Sequence, residues 1–324
     1  MLRVDQLSVE FATPRGVVHA VNGISFDLSE GGSLGLVGES GCGKSTALRA
    51  ILGLLPERAR ITGGAILFDG VDITTRGRRR TKRVGTPSIS MIFQEPTAAL
   101  NPVMRVGAQI AEAVKQNEGC SKSAARERSL ELLRRVGIPE PERRARMFPH
   151  QLSGGMRQRI VIATALACRP RLLLCDEPTT ALDVSIQDQI LALLTDLQRE
   201  QGFAILFVSH DLAVVSSVCD QLAVMYAGLI VETGDTSQTF VRPRHPYTEG
   251  LLGAIPDFDT KKTLQAIPGS TPNLISPPAG CPFRPRCRYA QSDCGSGKFP
   301  LIPWSGDGSS ACIHSNVLQV GAAS

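Results

Sequence analysis

The sequence predicts an α/β fold, in which short apolar strands alternate with helices, followed by an irregular C-terminal extension. The apolar run Ser33–Val37 passes through a glycine-rich turn directly into a helical segment. Two further apolar runs, 172–176 and 202–209, have the length of buried strands. Beyond residue 241, proline and glycine are too dense for long regular elements.

The composition is that of an ordinary globular protein. The 324 residues are 42% hydrophobic and 20% charged, which fits neither a disordered nor a membrane-embedded chain. No apolar run approaches 18 residues, and the N-terminal residues do not resemble a signal peptide. The net charge of +5 is too modest to indicate nucleic-acid binding. The odd number of cysteines, nine, with five scattered through the first 219 residues, favours reduced thiols in the cytosol.

Two strands are expected at the N-terminus, over residues 2–11 and 21–28, with a turn at 13–16 between them. Phe11 lies at the end of the first of these strands. An aromatic side chain near such a hairpin could stack on a purine base, although a core phenylalanine is the more common outcome. Phe11 is therefore a candidate contact for a nucleobase.

A glycine-rich segment between the strand Ser33–Val37 and the next helix carries the main chemical signal. Its residues are Gly38, Glu39, Ser40, Gly41, Cys42, Gly43, Lys44, Ser45 and Thr46. Glycine lets backbone N–H groups approach a polyphosphate closely, and the N-terminus of the following helix adds partial positive charge. Lys44 would neutralise the β- and γ-phosphates, and the Ser45 hydroxyl would bind Mg²⁺. The segment predicts a nucleotide site.

The region after this loop predicts two strands and a helical insertion. Strands are expected over 64–69 and 88–93, and the second of them ends at Gln94. A dense basic run at 76–83 favours a solvated loop, with a patch for phosphate or lipid headgroups as the alternative. Residues 106–146 have helical periodicity among many charges, which indicates a helical insertion between strands.

A second glycine-led helix start follows at Ser153, Gly154 and Gly155, with Gln158 one turn further on. Ser153 is a natural N-cap, and the two glycines expose backbone N–H groups. One triphosphate hardly needs two such helix starts from the same chain. The pattern favours a head-to-tail dimer, in which this helix caps the γ-phosphate bound by the partner chain. An ordinary capped helix is the alternative.

The strand at 172–176 ends in two carboxylates, Asp176 and Glu177. Asp176 is placed to hold Mg²⁺ through its water shell, and Glu177 can polarise the attacking water. Asp183 follows and would lie along the dimer seam. The strand at 202–209 delivers His210, which would reach the γ-phosphate and fix the water and Glu177. Taken alone, a histidine after a strand is more often structural.

Four cysteines are concentrated in the C-terminal extension, at positions 281, 287, 294 and 312, with five, six and 17 residues between them. Such a concentration suggests a metal site. Zinc held by four thiolates commonly uses close pairs of cysteines, which are absent here, whereas wider spacing suits an iron–sulfur cluster. Two disulfides remain the alternative, which the reducing compartment disfavours.

Over residues 1–240 the motifs resemble those of ABC-transporter ATPases. Lys44, Gln94, the Ser153–Gln158 helix start, Asp176 with Glu177, Asp183 and His210 match the Walker A, Q-loop, signature, Walker B, D-loop and H-loop in order. The resemblance implies a P-loop NTPase with a RecA-like core, an antiparallel β subdomain and a helical subdomain at about 95–170. It also implies a nucleotide-sandwich dimer, ATP and Mg²⁺ as ligands, and Gln94 among the groups around the metal and the reacting water.

Residues 241–324 resemble the C-terminal extension of ATPase subunits from dipeptide/oligopeptide-type ABC importers. The shared features are the segment His245-Pro246-Tyr247-Thr248, the proline-rich stretch and the cysteine set. The resemblance implies a [4Fe–4S] cluster at Cys281, Cys287, Cys294 and Cys312. It also implies a homologous second ATPase, two membrane permeases, a periplasmic or lipoprotein binding protein, and a place on the cytoplasmic face of the membrane.

The expected function is ATP hydrolysis that drives uptake of di- and oligopeptides. The same architecture serves nickel, glutathione, opines or oligosaccharides in related importers, so the cargo stays open between these. A nucleic-acid-associated ATPase of this family is expected to have two fused ATPase units, a long heptad insertion or zinc-binding cysteine pairs. This sequence has none of these features.

Overall fold

The computed structural model describes residues 1–74, 89–180, 182–255, 266–304 and 308–315. The chain forms two compact units, one of Met1–Thr81 with Phe207–Ser324 and the other of Lys82–Leu206. The basic run predicted at 76–83 lies outside the described residues.

The N-terminal part of the first unit is a four-stranded antiparallel sheet with the order β2-β1-β4-β5. The strands are β1 (Leu2–Thr13), β2 (Gly16–Leu28), β4 (Ala59–Phe68) and β5 (Val71–Asp72). Along β1 the apolar Leu2 and Val4 are buried while Arg3 and Asp5 are exposed, because alternate residues of a strand face opposite sides. The register pairs Leu2 with both Leu28 and Phe68. The two predicted N-terminal strands are present and longer than expected.

A second set of strands in the first unit has the order β11-β12-β10-β9-β3. They are β3 (Ser33–Val37), β9 (Gln221–Tyr226), β10 (Leu229–Asp235), β11 (Ile302–Pro303) and β12 (Ser309–Ser310). Every residue of β3 is buried, and β3 runs parallel to β9. The other neighbouring pairs in this set are antiparallel. Strands β9 and β10 were not predicted from the sequence.

The helices of this unit are short. They are α1 (Lys44–Leu52), α8 (Leu212–Ser216), α9 (Thr236–Val241) and α10 (Pro246–Gly253). Helix α1 ends at Gly53, whose left-handed conformation is a common helix stop. Asp211 caps α8 by accepting hydrogen bonds from the backbone N–H groups of Ala213 and Val214.

The second unit joins a pair of parallel strands, β6 (Ile89–Ile92) and β7 (Leu172–Asp176), to a group of helices. The helices are α2 (Pro96–Ala99), α3 (Val106–Glu118), α4 (Lys122–Arg135), α5 (Pro141–Arg144), α6 (Gly154–Leu166) and α7 (Val184–Gln201). The helical insertion predicted at 106–146 is therefore three helices, because Gly119 and Gly137 take left-handed conformations after α3 and α4. Within the part of the chain that the structure describes, no helix is long and apolar enough to span a membrane. Strand β8 (Ala204–Ser209) carries the chain out of this unit.

Within its described residues, the C-terminal extension is irregular apart from α10, β11, β12 and two short 3₁₀ turns. Its attachment to β10 depends on the carboxylate of Glu232, which is buried. The two carboxylate oxygens accept hydrogen bonds from the backbone N–H groups of Arg244 at 2.6 Å and His245 at 3.0 Å. Strand β12 pairs with β10 beside the same residue. The extension thus folds as part of the first unit.

Candidate nucleotide site

The phosphate loop, residues 38–46, follows a course that depends on two glycines. Gly38 and Gly43 have φ angles of 154° and 110°. A Cβ atom at Gly38 would lie 2.1 Å from the carbonyl oxygen of Met225, and one at Gly43 would lie 2.2 Å from that of Ala20. Because no side chain fits these contacts, the loop can pack this closely only with glycine at both positions.

Lys44 begins α1 and is buried inside the loop. Its Nζ donates hydrogen bonds to the carbonyl oxygens of Gly38 at 2.6 Å and Glu39 at 3.0 Å. No side chain caps the start of this helix, where Gly43 is left-handed. An uncapped helix N-terminus with a lysine inside the preceding loop is suited to binding an anion.

The turn between β9 and β10 contacts the phosphate loop and β2 through backbone hydrogen bonds. The backbone N–H of Gly228 donates to the carbonyl oxygen of Cys42 at 3.0 Å, and the N–H of Asn22 donates to the carbonyl oxygen of Gly228 at 2.8 Å. Burial raises the pKa of the Cys42 thiol, which packs into the loop. The loop is therefore held by backbone contacts to β2 and to the β9–β10 turn.

The C-terminal extension also holds the phosphate loop, through two residues that the sequence analysis missed. The guanidinium of Arg286 donates to both carboxylate oxygens of Glu39, at 2.6 and 2.8 Å, and its Nε donates to the carbonyl oxygen of Pro268 at 2.8 Å. The backbone N–H of Glu39 donates to the hydroxyl oxygen of Tyr247 at 2.7 Å. Tyr247 belongs to the segment already noted as shared with peptide importers, but nothing in the sequence pointed to its contact.

An aromatic cluster lies beneath this attachment. The rings of Tyr226, Tyr247 and Phe283 are 4.5 to 5.4 Å apart between centroids. All three side chains are buried, and the guanidinium of Arg286 lies 5.8 Å from the Tyr226 ring centroid. The cluster packs β9, α10 and the cysteine-bearing segment together, and this fixes the direction from which Arg286 reaches the loop.

Phe11, the candidate nucleobase contact, is half-buried on β1. It pairs with Val18 of β2 in the antiparallel register. Directly paired residues project from the same face of a two-stranded ladder. Val18 in turn lines a cavity beside the phosphate loop.

In the second unit, β7 ends at Asp176 and places Glu177 in a left-handed conformation with φ of 47°. Such a conformation is uncommon for a residue with a side chain and often marks a functional position. The Oε2 atom of Glu177 accepts hydrogen bonds from Gln94 Nε2 at 3.2 Å and from Thr180 Oγ1 at 2.9 Å. The structure thus brings together Gln94 and Glu177, two of the three predicted catalytic residues. Thr180 is a contact that the sequence analysis missed.

The predicted signature residues lie at the start of α6. Ser153 is its N-cap, and its hydroxyl oxygen accepts a hydrogen bond from the N–H of Met156 at 3.3 Å. A Cβ atom at Gly155 would lie 2.8 Å from Cγ2 of Ile186, so α7 packs closely on this glycine. Within the described residues, the buried amide of Gln158 has no hydrogen-bond partner.

Asp183 and His210, the remaining predicted site residues, both flank the starts of helices. Asp183 is the exposed N-cap of α7 and is followed by Val184, which is 74% exposed. His210 follows β8 and is exposed in the first unit.

The four cysteines of the extension line one cavity, together with His245, Tyr289 and His314. The nine cysteines of the chain are all free thiols. Burial raises the pKa of Cys312 to about 11. No three of the four sulfur atoms lie within 4.8 Å of one another, while Asp293, Cys294 and His314 form a closer group.

Together, the glycine-dependent loop, the buried lysine at a helix start and the acidic strand end define the class of P-loop nucleotide-binding proteins. Comparison with known proteins narrows this class. The ABC transporter family model matches residues 21–180, and the model of the oligopeptide/dipeptide transporter C-terminal region matches residues 231–294.

Characterised relatives align over almost the whole chain. The oligopeptide transport ATP-binding protein OppD of Salmonella typhimurium is 48% identical over 97% of this chain and 93% of its own length. The dipeptide transport ATP-binding protein DppD of Bacillus subtilis is 50% identical over 89% of this chain and 86% of its own. The chain therefore belongs to the ABC transporter ATP-binding proteins, in the family that carries the oligopeptide/dipeptide transporter C-terminal region.

Solved structures confirm the predicted fold class. A dimeric ATP-binding cassette in a post-hydrolysis state, bound to ADP and Pi, has a TM-score of 0.62 at 27% identity and covers 73% of this chain and 99% of its own. The cbiO1 subunit of a cbiONQ transporter complex from Clostridium perfringens has a TM-score of 0.61 at 30% identity, over 74% of this chain and 90% of its own. The chain is an ABC-type ATPase.

Proposed function

We propose that this chain energises the import of di- and oligopeptides by hydrolysing ATP at its phosphate loop. The relatives whose names state oligopeptide or dipeptide transport support the cargo, because they align over nearly the full chain, including the C-terminal extension. The observation that carries the ATPase role is the loop itself. Its glycines pack against backbone carbonyls, and Lys44 is buried within it at an uncapped helix start.

Nucleotide binding would use the loop residues in the way their chemistry allows. The backbone N–H groups from Gly38 to Thr46 would surround the phosphates, and Lys44 would exchange its carbonyl contacts for phosphate oxygens. The hydroxyl of Ser45, the amide oxygen of Gln94 and the carboxylate of Asp176 are oxygen donors, which Mg²⁺ prefers. The metal would neutralise charge that develops on the phosphates.

Hydrolysis would depend on Glu177 as the group that polarises the attacking water. Its carboxylate is held by Gln94 and Thr180, so it needs little reorganisation when the water binds. The left-handed backbone at this residue fits a position fixed for function rather than for stability. His210 would orient the water and the γ-phosphate.

The second helix start would act across a dimer. Ser153, Gly154, Gly155, Gln158 and Asp183 would contact the nucleotide held by a homologous ATPase subunit, a role supported by the dimeric form of the related cassette. The buried, unpartnered amide of Gln158 is costly in isolation, and a partner group would satisfy it. Two permease subunits and a periplasmic or lipoprotein binding protein would complete the importer, with this chain on the cytoplasmic membrane face.

The cysteine cavity would hold a [4Fe–4S] cluster through Cys281, Cys287, Cys294 and Cys312. All four thiols line one cavity, as they must if they are to bind the same cluster. Four sulfurs around a single zinc ion would lie about 3.8 Å apart, given Zn–S bonds of about 2.3 Å. The wider spread of these sulfurs suits a larger group in which each iron takes one thiolate.

Uptake of labelled peptides by a deletion strain tests the transport proposal. The strain would carry the parent gene, Glu177→Gln or Glu200→Gln, the last changing an exposed carboxylate at the end of α7. We expect uptake with the parent and with Glu200→Gln and none with Glu177→Gln, which should still bind ATP. Normal peptide uptake in the deletion strain itself would discard the peptide cargo and leave the ATPase role standing.

Iron analysis of the purified protein tests the cluster. Cys281→Ser should lower the iron and acid-labile sulfide content, whereas Cys120→Ser, outside the cavity, should not. Equal iron in the Cys281→Ser variant and the parent would remove the cluster from the proposal.

A further inference from the structure

A cavity of about 320 Å³ lies beside the phosphate loop in the first unit. Part of its lining comes from Ser40, Gly41 and Cys42 of the loop, with Val18 of β2 and Ala227 of the β9–β10 turn. The rest comes from five consecutive residues of the C-terminal extension, Thr271–Ile275, here called the tail wall. The volume of the cavity lies at the lower end of the range of about 300–1,000 Å³ that is typical of small-molecule sites.

The cavity has the position and the chemistry of a nucleoside subsite. In a nucleoside triphosphate, the ribose and base extend from the phosphates, so they must occupy space next to the phosphate loop. Val18, Leu274 and Ile275 offer apolar surface for the faces of a base, while Ser40 and Asn273 offer polar groups. Phe11, which pairs with Val18, projects from the same side of the hairpin.

The tail wall is fixed at its C-terminal end. The N–H of His19 donates to the carbonyl oxygen of Leu274 at 3.1 Å, which ties the wall to β2. A Cβ atom at Gly16 would lie 2.9 Å from Cγ2 of Ile275, so the wall packs closely on the hairpin turn. Its conformation is set further by Asn273, whose side-chain oxygen accepts a hydrogen bond from the N–H of Ile275 at 2.9 Å.

Arg286 joins the wall to the phosphate loop. Two of its guanidinium nitrogens donate hydrogen bonds to the Glu39 carboxylate, and the third donates to the carbonyl oxygen of Pro268. Pro268 is only three residues before Thr271, so one buried side chain sets the distance between the loop and the wall. Arg286 is therefore a positioning residue for both halves of the cavity.

We propose that the tail wall, Thr271–Ile275, contacts the base and ribose of the bound purine nucleotide, so that the C-terminal extension forms part of the ATP site. The inference rests on the proposed function, because it places the nucleoside beside the phosphates bound by the loop. It assigns a nucleotide-binding role to a segment outside the ATPase motifs. It also explains why the extension is attached to the loop by a partly buried ion pair and a tyrosine hydroxyl.

The test compares ATP with inorganic tripolyphosphate, which lacks the nucleoside, by titration calorimetry of the full-length protein. Leu274→Ala should weaken ATP binding about fivefold to tenfold, because it removes apolar contact with the nucleoside. It should leave tripolyphosphate binding within about twofold. Ile302→Ala, an exposed apolar residue of the same extension outside the cavity, is the matched control and should change neither.

Arg286→Met should weaken the binding of both ligands, since it releases the loop as well as the tail wall. Arg286→Lys should recover part of the lost affinity. Arg288→Met is its control, because Arg288 forms a more exposed pair with Glu249 at 2.6 Å in the same segment. Thermal unfolding and iron content of each variant separate a local effect from loss of the fold.

The outcomes distinguish the inference from the proposal beneath it. A parent protein that binds neither ATP nor tripolyphosphate would contradict the proposed function. If the parent binds both ligands and Leu274→Ala binds ATP as tightly as the parent does, the proposed role of the tail wall is wrong. Equal weakening of both ligands by Leu274→Ala would also overturn it, since the segment would then only support the loop.

Discussion

The phosphate loop and the C-terminal extension belong to the same unit but are held in place by opposite means. The loop is fixed by its backbone: Gly38 and Gly43 allow it to lie against the carbonyl groups of β2 and β9. Where the structure describes it, the extension has little regular structure, and it is fixed by side chains, chiefly Glu232, Tyr247 and Arg286. The loop can be recognised from a short contiguous motif, although β2 and β9 pack against it, whereas the contacts that hold the extension join residues far apart in the chain.

This difference separates two kinds of sensitivity to mutation. In the loop, any added side-chain atom at a tightly packed glycine disrupts the structure. In the extension, the loss of one polar group leaves a buried partner without its hydrogen bond or its counter-charge. Replacing a glycine should therefore destabilise the protein most in the loop, whereas removing a polar side chain should destabilise it most in the extension.

The largest effect is expected from Gly43→Ala. The new methyl group would meet the carbonyl oxygen of Ala20 at 2.2 Å at a position with φ of 110°. We expect loss of nucleotide binding and a decrease of about 4 kcal/mol in the free energy of unfolding, measured by urea denaturation. Gly70→Ala is the matched control: its φ is 75°, but a methyl group there meets nothing within 4 Å, so only about 1 kcal/mol should be lost. Equal losses in the two variants would contradict the packing argument.

A second effect concerns Glu232 and depends on pH. Burial raises the pKa of Glu232 to about 7, above its ordinary value of 4.5. Its contribution to stability is therefore fully present below pH 4.5 and is lost as the pH rises through 7. Relative to Glu232→Gln, the parent should lose about 3 kcal/mol of unfolding free energy between pH 4.5 and pH 8.

His245, packed in the same region, titrates in the opposite direction. Burial lowers its pKa to about 3, so its contribution is present above 6.5 and is lost as the pH falls towards 3. Because His245 is present in both the parent and Glu232→Gln, its effect cancels in their difference. A difference that does not vary with pH would show that burial does not raise the pKa of Glu232.

The smallest effect is expected from Tyr247→Phe. The change removes the hydroxyl that accepts a hydrogen bond from the N–H of Glu39 and leaves the aromatic cluster intact. We expect a loss of about 1–2 kcal/mol in unfolding free energy, with weaker ATP binding. Tyr289→Phe is the control, because Tyr289 lies in a more exposed position and bonds the side chain of Glu249. Unchanged nucleotide affinity in Tyr247→Phe would show that the hydroxyl does not support the loop.

The same contrast explains what the sequence could and could not predict. The strand, loop and helix around Lys44 are contiguous, and both the fold class and the loop could be recognised from residue order alone. The contact between Arg286 and Glu39 joins positions 247 residues apart, so no local pattern reports it. Strands β9 and β10 were missed, although β9 pairs with β3 and forms part of the loop's support. The residue roles at Gln94, Glu177, His210 and in the signature stay predictions until they are tested.

The ion pair between Arg286 and Glu39 has a consequence for the electric field at the loop. Glu39 places a negative charge within a loop suited to a polyanion, and Lys44 supplies one positive charge in return. Arg286 adds a second positive charge 2.6 Å from the Glu39 carboxylate, so the three side chains together carry a net charge of +1. Without the extension, Lys44 and Glu39 would sum to zero. The net charge of these side chains would then add nothing to the long-range attraction that draws a nucleotide to the loop, while Lys44 and the backbone dipoles would still act on a bound phosphate.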